Sequence, residues 1–267
     1  MDIRSLGYRT DLIFPRFDGE IFDRGGYLVA LTPQNPSFFW GNFVLFPGPP
    51  GAGDLKRWKG VFDEEVRSRL DVDHYAFGWD GVDGEMGEIG PFDAEGFSLN
   101  RSVVLAADRV TIPRKYDRSV VVRPIEGDDE WEEATRNQIA CSDPCFDPEN
   151  YKIFKDGQMA RYRKMAASGL GFWFGAFLEE KLVADLGIFS TGSLGRFQNV
   201  GTHPDYRRRG ICGALVHQAS LFVLDTMKVE TLVMVADKDY HALAIYESVG
   251  FIPKERQVGA YWWGKKR

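Results

Sequence analysis

Three consecutive arginines, Arg207, Arg208 and Arg209, are followed at once by Gly210 and then by Ile211, Cys212 and Gly213. Planar guanidinium groups match phosphate oxygens as two-pronged donors. A glycine lets the main chain approach a ligand with no side chain between them. If a helix begins here, its first N–H groups and about half a positive charge from its dipole face the same anion. Residues of these types in this order suit the capture of a phosphate or diphosphate. Further along, Tyr246 stands next to Glu247 and shortly before Gly250-Phe251. A phenol, with an ordinary pKa of about 10, can hand a proton to a basic leaving group.

The elements that would hold these groups are legible. Phe197 and Val200 alternate with polar neighbours, which suits a strand, and His203-Pro204-Asp205 is a turn. Leu215, Val216, Ala219, Phe222 and Val223 recur at helical spacing, so an amphipathic helix follows the arginines. Thr231 to Asp237 reads as a strand, and 239–249 as a helix bearing Ala242, Ile245, Tyr246 and Val249 on one face. On that face Tyr246 is open to two readings, an acid in a site or a core aromatic.

Two of these stretches together resemble the GNAT superfamily of N-acyltransferases. Arg207-x-x-Gly210-x-Cys212 is similar to its acyl-CoA loop, Q/R-x-x-G-x-G/A, with Cys212 where glycine or alanine is usual. Asp239, Ala242, Tyr246, Glu247, Gly250 and Phe251 follow its later helix, N-x-x-A-x-x-x-Y-E-x-x-G-F, with Asp239 in place of asparagine. The resemblance implies an N-acetyltransferase that moves an acetyl group from acetyl-CoA, as co-substrate, to a primary amine. It implies that the main chain from Arg208 through Gly210 and Ile211 to Cys212 and Gly213 grips the diphosphate, with Arg207, Arg208 and Arg209 adding charge. It places the pantetheine arm along the strand of Val200 and Thr202. An N–H near Val200 would polarise the thioester carbonyl, a contribution of about 3–4 kcal/mol, and Tyr246 would protonate the leaving thiolate. Asp239 would touch the cofactor or cap the helix, and its charge favours the cap.

No general base is identified. The strand ahead of the arginines carries Arg196, Gln198 and Asn199 where the family often has glutamate. Asp185, Glu179, Glu180 and a chain of waters remain as alternatives. These departures leave a second reading, an acyl-CoA-binding sensor or scaffold without turnover. The acceptor pocket is expected from 142–168 and 171–189, with Phe146, Tyr151, Trp173 and Phe174 as aromatic candidates.

The chain has 267 residues, 44% of them hydrophobic, which suffices for one large or two small cores. Its net charge of −6 argues against a general nucleic-acid binder, which must neutralise phosphates over a broad face. The cysteines, Cys141, Cys145 and Cys212, are odd in number and spread out, so no disulfide framework is expected. The four histidines do not cluster with Cys141 and Cys145, and no metal site is expected. The first residues lack an apolar signal core, and the apolar run Leu170 to Leu178 is too short to span a bilayer. A cytoplasmic protein without membrane attachment, with a small-molecule amine as its partner, is expected; a homodimer is compatible with the sequence.

The first half repeats the order of the second. Strands are expected at 26–31, 38–46, 74–79 and 102–107, with a loop at 47–53 and a helix bearing Leu55, Trp58, Val61, Phe62 and Val66 on one face. Aligning Gly96-Phe97 with Gly250-Phe251 sets Phe92 opposite Tyr246 and sets Pro47 to Gly53 opposite the arginine loop. The fold class expected is α+β, two GNAT-like domains with mixed central sheets flanked by helices. Residues 1–116 would be a degenerate domain without a cofactor loop, with an unrelated α+β domain as the alternative, and 117–267 the acetyl-CoA-binding domain. The charged, proline-bearing 107–118 would link them.

Overall fold

The computed structural model describes residues 1–142, 147–239 and 242–264. The chain divides into two compact units, Met1–Val104 with Lys254–Arg267, and Leu105–Pro253. The expected boundary after residue 116 is thus displaced. The segment 107–118, expected as a linker, belongs to the second unit.

The first unit opens with two short helices the sequence reading missed, α1 (Leu6–Asp11) and α2 (Ile13–Asp18). Then come β1 (Glu20–Asp23), β2 (Leu28–Leu31), β3 (Phe43–Phe46), α3 (Asp54–Phe62), β4 (His74–Trp79), α4 (Gly90–Ala94) and β5 (Ser98–Ala107), whose last residues enter the second unit. The expected strand over 38–46 forms only at its end. Its first part is a 3₁₀ turn held by Asn42, whose amide donates to the Phe38 and Asn35 carbonyls at 2.9 and 3.0 Å. Polar side chains that satisfy nearby main chain compete with strand formation in this way.

The second unit continues with β6 (Val121–Pro124), α5 (Gly127–Ala140), α6 (Pro148–Ala167), β7 (Gly171–Leu178), β8 (Lys181–Thr191), β9 (Leu194–Thr202), α7 (Ile211–Thr226), β10 (Thr231–Asp237) and α8 (Leu243–Val249). A single long strand, β11 (Ile252–Trp263), closes the chain. Most of β11 lies in the first unit, because Gly259 to Trp263 pair antiparallel with Gly78 to His74 of β4. That ladder accounts for the C-terminal residues' place in the first unit: main-chain hydrogen bonds, not sequence order, assign them.

Each unit builds its mixed sheet by the same rule. β1–β2 and β2–β3 are antiparallel and β3–β4 parallel. Likewise β7–β8 and β8–β9 are antiparallel and β9–β10 parallel. A helix crosses over in each parallel step, α3 in one and α7 in the other. The short helices end alike too. Phe97 N–H donates to Phe92 O at 3.0 Å and Phe251 N–H to Tyr246 O at 3.2 Å, each after a left-handed glycine, Gly96 or Gly250.

The first unit's core is aromatic: Phe46 stacks on Trp58 at 4.0 Å, and Phe62, Phe77, Phe92 and Phe97 fill in around them. In the second, α7 buries Ala214, Leu215, Val216, Ala219 and Val223 completely. Burying a side chain of the Val or Leu class stabilises by about 1.5–3 kcal/mol, so this helix is anchored along its whole length.

Candidate active site

The second unit contains a cavity of about 900 Å³. One part of its wall is the start of α7, from Arg207 and Arg208 through Gly210, Ile211, Cys212 and Gly213. A second part is β9, with Asn199, Val200, Gly201 and Thr202. Tyr246, Ile245 and Ala242 of α8 and the residue before it form a third, and Gln138, Cys141, Tyr151 and Lys155 of α5 and α6 and their edges a fourth.

At the arginine loop, Gly210 takes the N-cap position of α7 with φ 92°, and Arg208 two residues earlier is also left-handed at φ 61°. Left-handed backbone costs roughly 1–2 kcal/mol for a residue with a Cβ, so glycine is the residue for position 210. A Cβ there would also stand 3.0 Å from the main chain of Lys115 and Tyr116. One at Gly213 would lie 2.9 Å from Pro113 Cγ. The stretch expected as a linker therefore lies over the α7 N-terminus and contributes Arg114 and Lys115 to the cavity wall. The first N–H groups of a helix have no partner within it, and those of Ile211, Cys212 and Gly213 open this one.

The three arginines do not act alike. Arg207 Nε donates to the Thr202 carbonyl at 3.1 Å and so ties the loop back to β9. Arg207 and Arg208 line the cavity, whereas Arg209 turns toward Asp117 at 3.9 Å and away from the wall. Cys212 lines the cavity, and burial pushes its thiol up to about 12, so it serves as a small wall residue, not as a nucleophile.

β9 is irregular where it meets the cavity. Its register against β8 shifts between Asp185 and Gly187, with Asp185 opposite Gly201 and Gly187 opposite Gln198. Asn199 and Val200 thus face Leu186 as a bulge, and Asn199 is left-handed at φ 47°. Such strain persists only when surroundings hold it. Here Gln138 Nε2 donates to Asn199 O at 2.7 Å, and Asn199 Nδ2 donates to Gln158 Oε1 at 2.7 Å. Gly201 allows this approach, because a Cβ there would stand 3.0 Å from Gln138 Nε2 and 3.3 Å from Cys141 Sγ.

Behind Gln138 lies Asp185, fully buried. Its carboxylate accepts from Gln138 Nε2 at 2.6 Å, Asn137 Nδ2 at 3.0 Å and Trp173 Nε1 at 3.1 Å. Burial still outweighs these donors and pushes its carboxyl up to about 7. Lys155, 5% exposed, is shifted the opposite way, down to about 8, by the same loss of water.

Most expected site residues meet in this cavity: Val200, Thr202, Arg207, Arg208, Gly210, Ile211, Cys212, Gly213 and Tyr246. Tyr246 is both 3% exposed and part of the wall, so its two readings coexist. Arg209 and Asp239 are not brought in. Asp239 is not the helix cap either: α8 begins at Leu243 after Ala242, with no side-chain cap, and Asp239 N–H donates to Asp237 Oδ1 at 2.8 Å in a local turn. Of the pocket aromatics, Tyr151 lines the cavity. Trp173 and Phe174 are core, the former 5.1 Å from the Tyr162 ring and the latter 5.4 Å from that of Phe222. Phe146, like Cys145 and His241, lies outside the described residues. Glu179 and Glu180, considered as bases, form the β7–β8 turn with φ of 49° and 67° and do not reach the cavity. Gln138, Lys155 and Gln158 were missed. The signal available was a polar residue on the inward face of each helix, at positions where apolar residues belong.

Among the described residues, no helix is long and apolar enough to cross a membrane, and no group of three or more His, Cys, Asp and Glu side chains is placed to hold a metal ion.

Residues 170–253 match a family model described as the acetyltransferase (GNAT) domain. No curated protein matches the chain. Solved structures resemble it over nearly its whole length. A functionally unknown conserved protein from Staphylococcus epidermidis is 15% identical with a TM-score of 0.72, over 91% of this chain and 93% of that one. A GCN5-related N-acetyltransferase from Kribbella flavida is 14% identical with a TM-score of 0.67, over 97% and 96%. A tandem GNAT protein from the clavulanic acid biosynthesis pathway is 15% identical with a TM-score of 0.53, over 90% and 78%. At these identities the likeness speaks for the α+β fold alone.

Proposed function

We propose, for a chain that belongs to the GNAT superfamily through its domain at residues 170–253, that it transfers an acetyl group from acetyl-CoA to a primary amine in the cavity of the second unit. One observation carries this reading. The α7 N-terminus with its cations, the bulged strand β9 and Tyr246 border one cavity.

The residues divide the work. The N–H groups at Ile211 to Gly213, with Arg207 and Arg208, suit the diphosphate of the donor. Thr202 Oγ1 is buried without a hydrogen-bond partner, and Val200 and Thr202 offer a strand edge to the pantetheine arm. The bulge at Asn199 and Val200 carries an N–H toward the thioester carbonyl, where negative charge develops. The neutral amine attacks, having released a proton to water; a C–N bond forms and the C–S bond breaks. Tyr246 gives its phenolic proton to the departing thiolate, and the proton shed by the new amide restores the phenol.

A second reading, acyl-CoA binding without turnover, is favoured by one feature. No Asp, Glu or His stands among the described residues of the cavity wall.

A thiol-release assay with acetyl-CoA and a panel of amines tests both, alongside calorimetry of acetyl-CoA binding. Amine-dependent release supports transfer. Binding without release supports the second reading, and no binding overturns both.

A further inference from the structure

Lys155 is a charged residue of the cavity wall, away from the α7 N-terminus, that the reading above does not use. It projects from α6 into the wall and is 5% exposed. Its ammonium donates to Gln158 Oε1 at 2.8 Å, an oxygen already accepting from Asn199. The rings of Tyr151 and Phe154 lie 5.6 and 5.7 Å from its nitrogen, centroid to Nζ. An ammonium has three N–H donors, and here one neutral oxygen and two aromatic faces serve it. Holding an ion out of water costs several kcal/mol unless an opposite charge answers it. The buried carboxylate of Asp185 answers only in part. Its oxygens are taken up by Asn137, Gln138 and Trp173, and it is not in the cavity wall.

The described residues of the cavity wall carry charge of one sign. Among the described residues lining it, the charged ones are Arg114, Lys115, Lys155, Arg207 and Arg208, and none is acidic. Four of these surround the α7 N-terminus, where the phosphates of a donor neutralise them. Lys155 stands apart on α6, joined through Gln158 to the bulge at Asn199. An acceptor with several positive charges would meet only like charge. An acceptor with its own anion would supply what Lys155 lacks. A lone ammonium between two rings is a point charge suited to a single carboxylate, unlike the paired guanidinium forks that grip phosphates.

We propose that the acceptor is a primary amine that also carries a carboxylate, and that Lys155 binds that carboxylate; this rests on the acetyl-transfer reading above. The carboxylate seats on Lys155 while the amine reaches the bulge beside it, which orders the acceptor.

The test uses matched acceptors, free amino acids and their methyl esters, with acetyl-CoA and the full chain. Wild-type protein is expected to prefer the acids in kcat/KM by about 30-fold, the scale of one charge-assisted contact. Lys155→Met is expected to erase that preference, leaving the esters within threefold of wild type, a change on the scale of an uncharged contact. Acetyl-CoA affinity measured on the same variant shows whether the donor site is kept. Equal use of acids and esters by the wild type overturns the proposal without any variant. Equal loss for both in Lys155→Met overturns it as well, and assigns Lys155 a general role. Should no amine turn over, the acetyl-transfer reading fails separately. Calorimetry of N-acetyl amino acids against their esters, on CoA-saturated protein, then reads the carboxylate preference directly, and its absence overturns the proposal.

Discussion

Gln138 Nε2 reaches both Asn199 O, at 2.7 Å, and Asp185 Oδ1, at 2.6 Å. A buried carboxylate thereby orients an amide that holds a left-handed residue on the strand bordering the cavity. Gln138→Leu removes the hold and strips Asn199 O of this donor, while Asp185 Oδ1 keeps Asn137. A buried polar group so stranded costs about 1–3 kcal/mol, and chemical denaturation is expected to show a loss of that order. In the transfer assay kcat is expected to fall by about tenfold, the size of one weakened oxyanion contact, with the KM for acetyl-CoA within twofold. If KM rises while kcat holds, Gln138 positions the donor and not the bulge.

Tyr246 is the phenol that borders the cavity on α8. Tyr246→Phe keeps the ring that fills the core and removes only the proton. General-acid contributions are typically about 10²–10⁴-fold, and a fall in kcat within that range is expected, with acetyl-CoA affinity unchanged by calorimetry. Full turnover in the variant would place the proton source elsewhere.

Asp185 gives the protein a pH signature. Its carboxyl ionises near 7 when folded, against 3.8 as the ordinary value, because burial disfavours the charge. Between those values the folded state keeps a proton that the unfolded state has lost, so stability falls as pH rises through about 4 to 7. Lys155 acts in a separate window: its folded value of about 8 lies below the ordinary 10.5, so its contribution grows as pH rises between them. Urea midpoints at several pH values are expected to fall toward pH 7 in the wild type and to flatten in Asp185→Asn. Parallel profiles would mean that Asp185 is ionised throughout.

The first unit has a loop at the same place in its fold as the arginine loop, yet it already holds an anion. Gly53 is left-handed at φ 79° before α3, as Gly210 is before α7. Pro49 and Pro50 have no N–H to give. Gly51 N–H donates to Asp54 Oδ2 at 2.8 Å, and Arg57 donates to the same carboxylate at 2.9 Å. Calorimetry is expected to find a single acetyl-CoA per chain, with an affinity that Asp54→Ala leaves unaltered. Binding of a second equivalent by the wild type would restore a donor site to the first unit.

Local order in the chain determined a good deal. Arg207 to Gly213 and Ala242 to Phe251 are adjacent residues doing related work, so their pattern is visible without coordinates. Helix α7 was also readable, since apolar periodicity acts over a few positions. The repeat of a glycine and a phenylalanine at residues 96–97 and 250–251 pointed to the matching main-chain hydrogen bonds of the two units.

Tertiary structure alone decided the rest. Gln138 lies 61 residues from Asn199 and 47 from Asp185, and Gln158 lies 41 from Asn199. No short-range pattern joins such residues; the bulge in β9 and the inward faces of α5 and α6 bring them together. The pairing of β11 with β4 and the course of 113–117 over α7 likewise depend on surfaces that exist only once both partners have folded. The end of the cavity at α7 is written in consecutive residues, whereas the end at α5 and α6 is assembled from distant ones, because burial acts on the folded chain as a whole and sequence spacing records only what neighbours share.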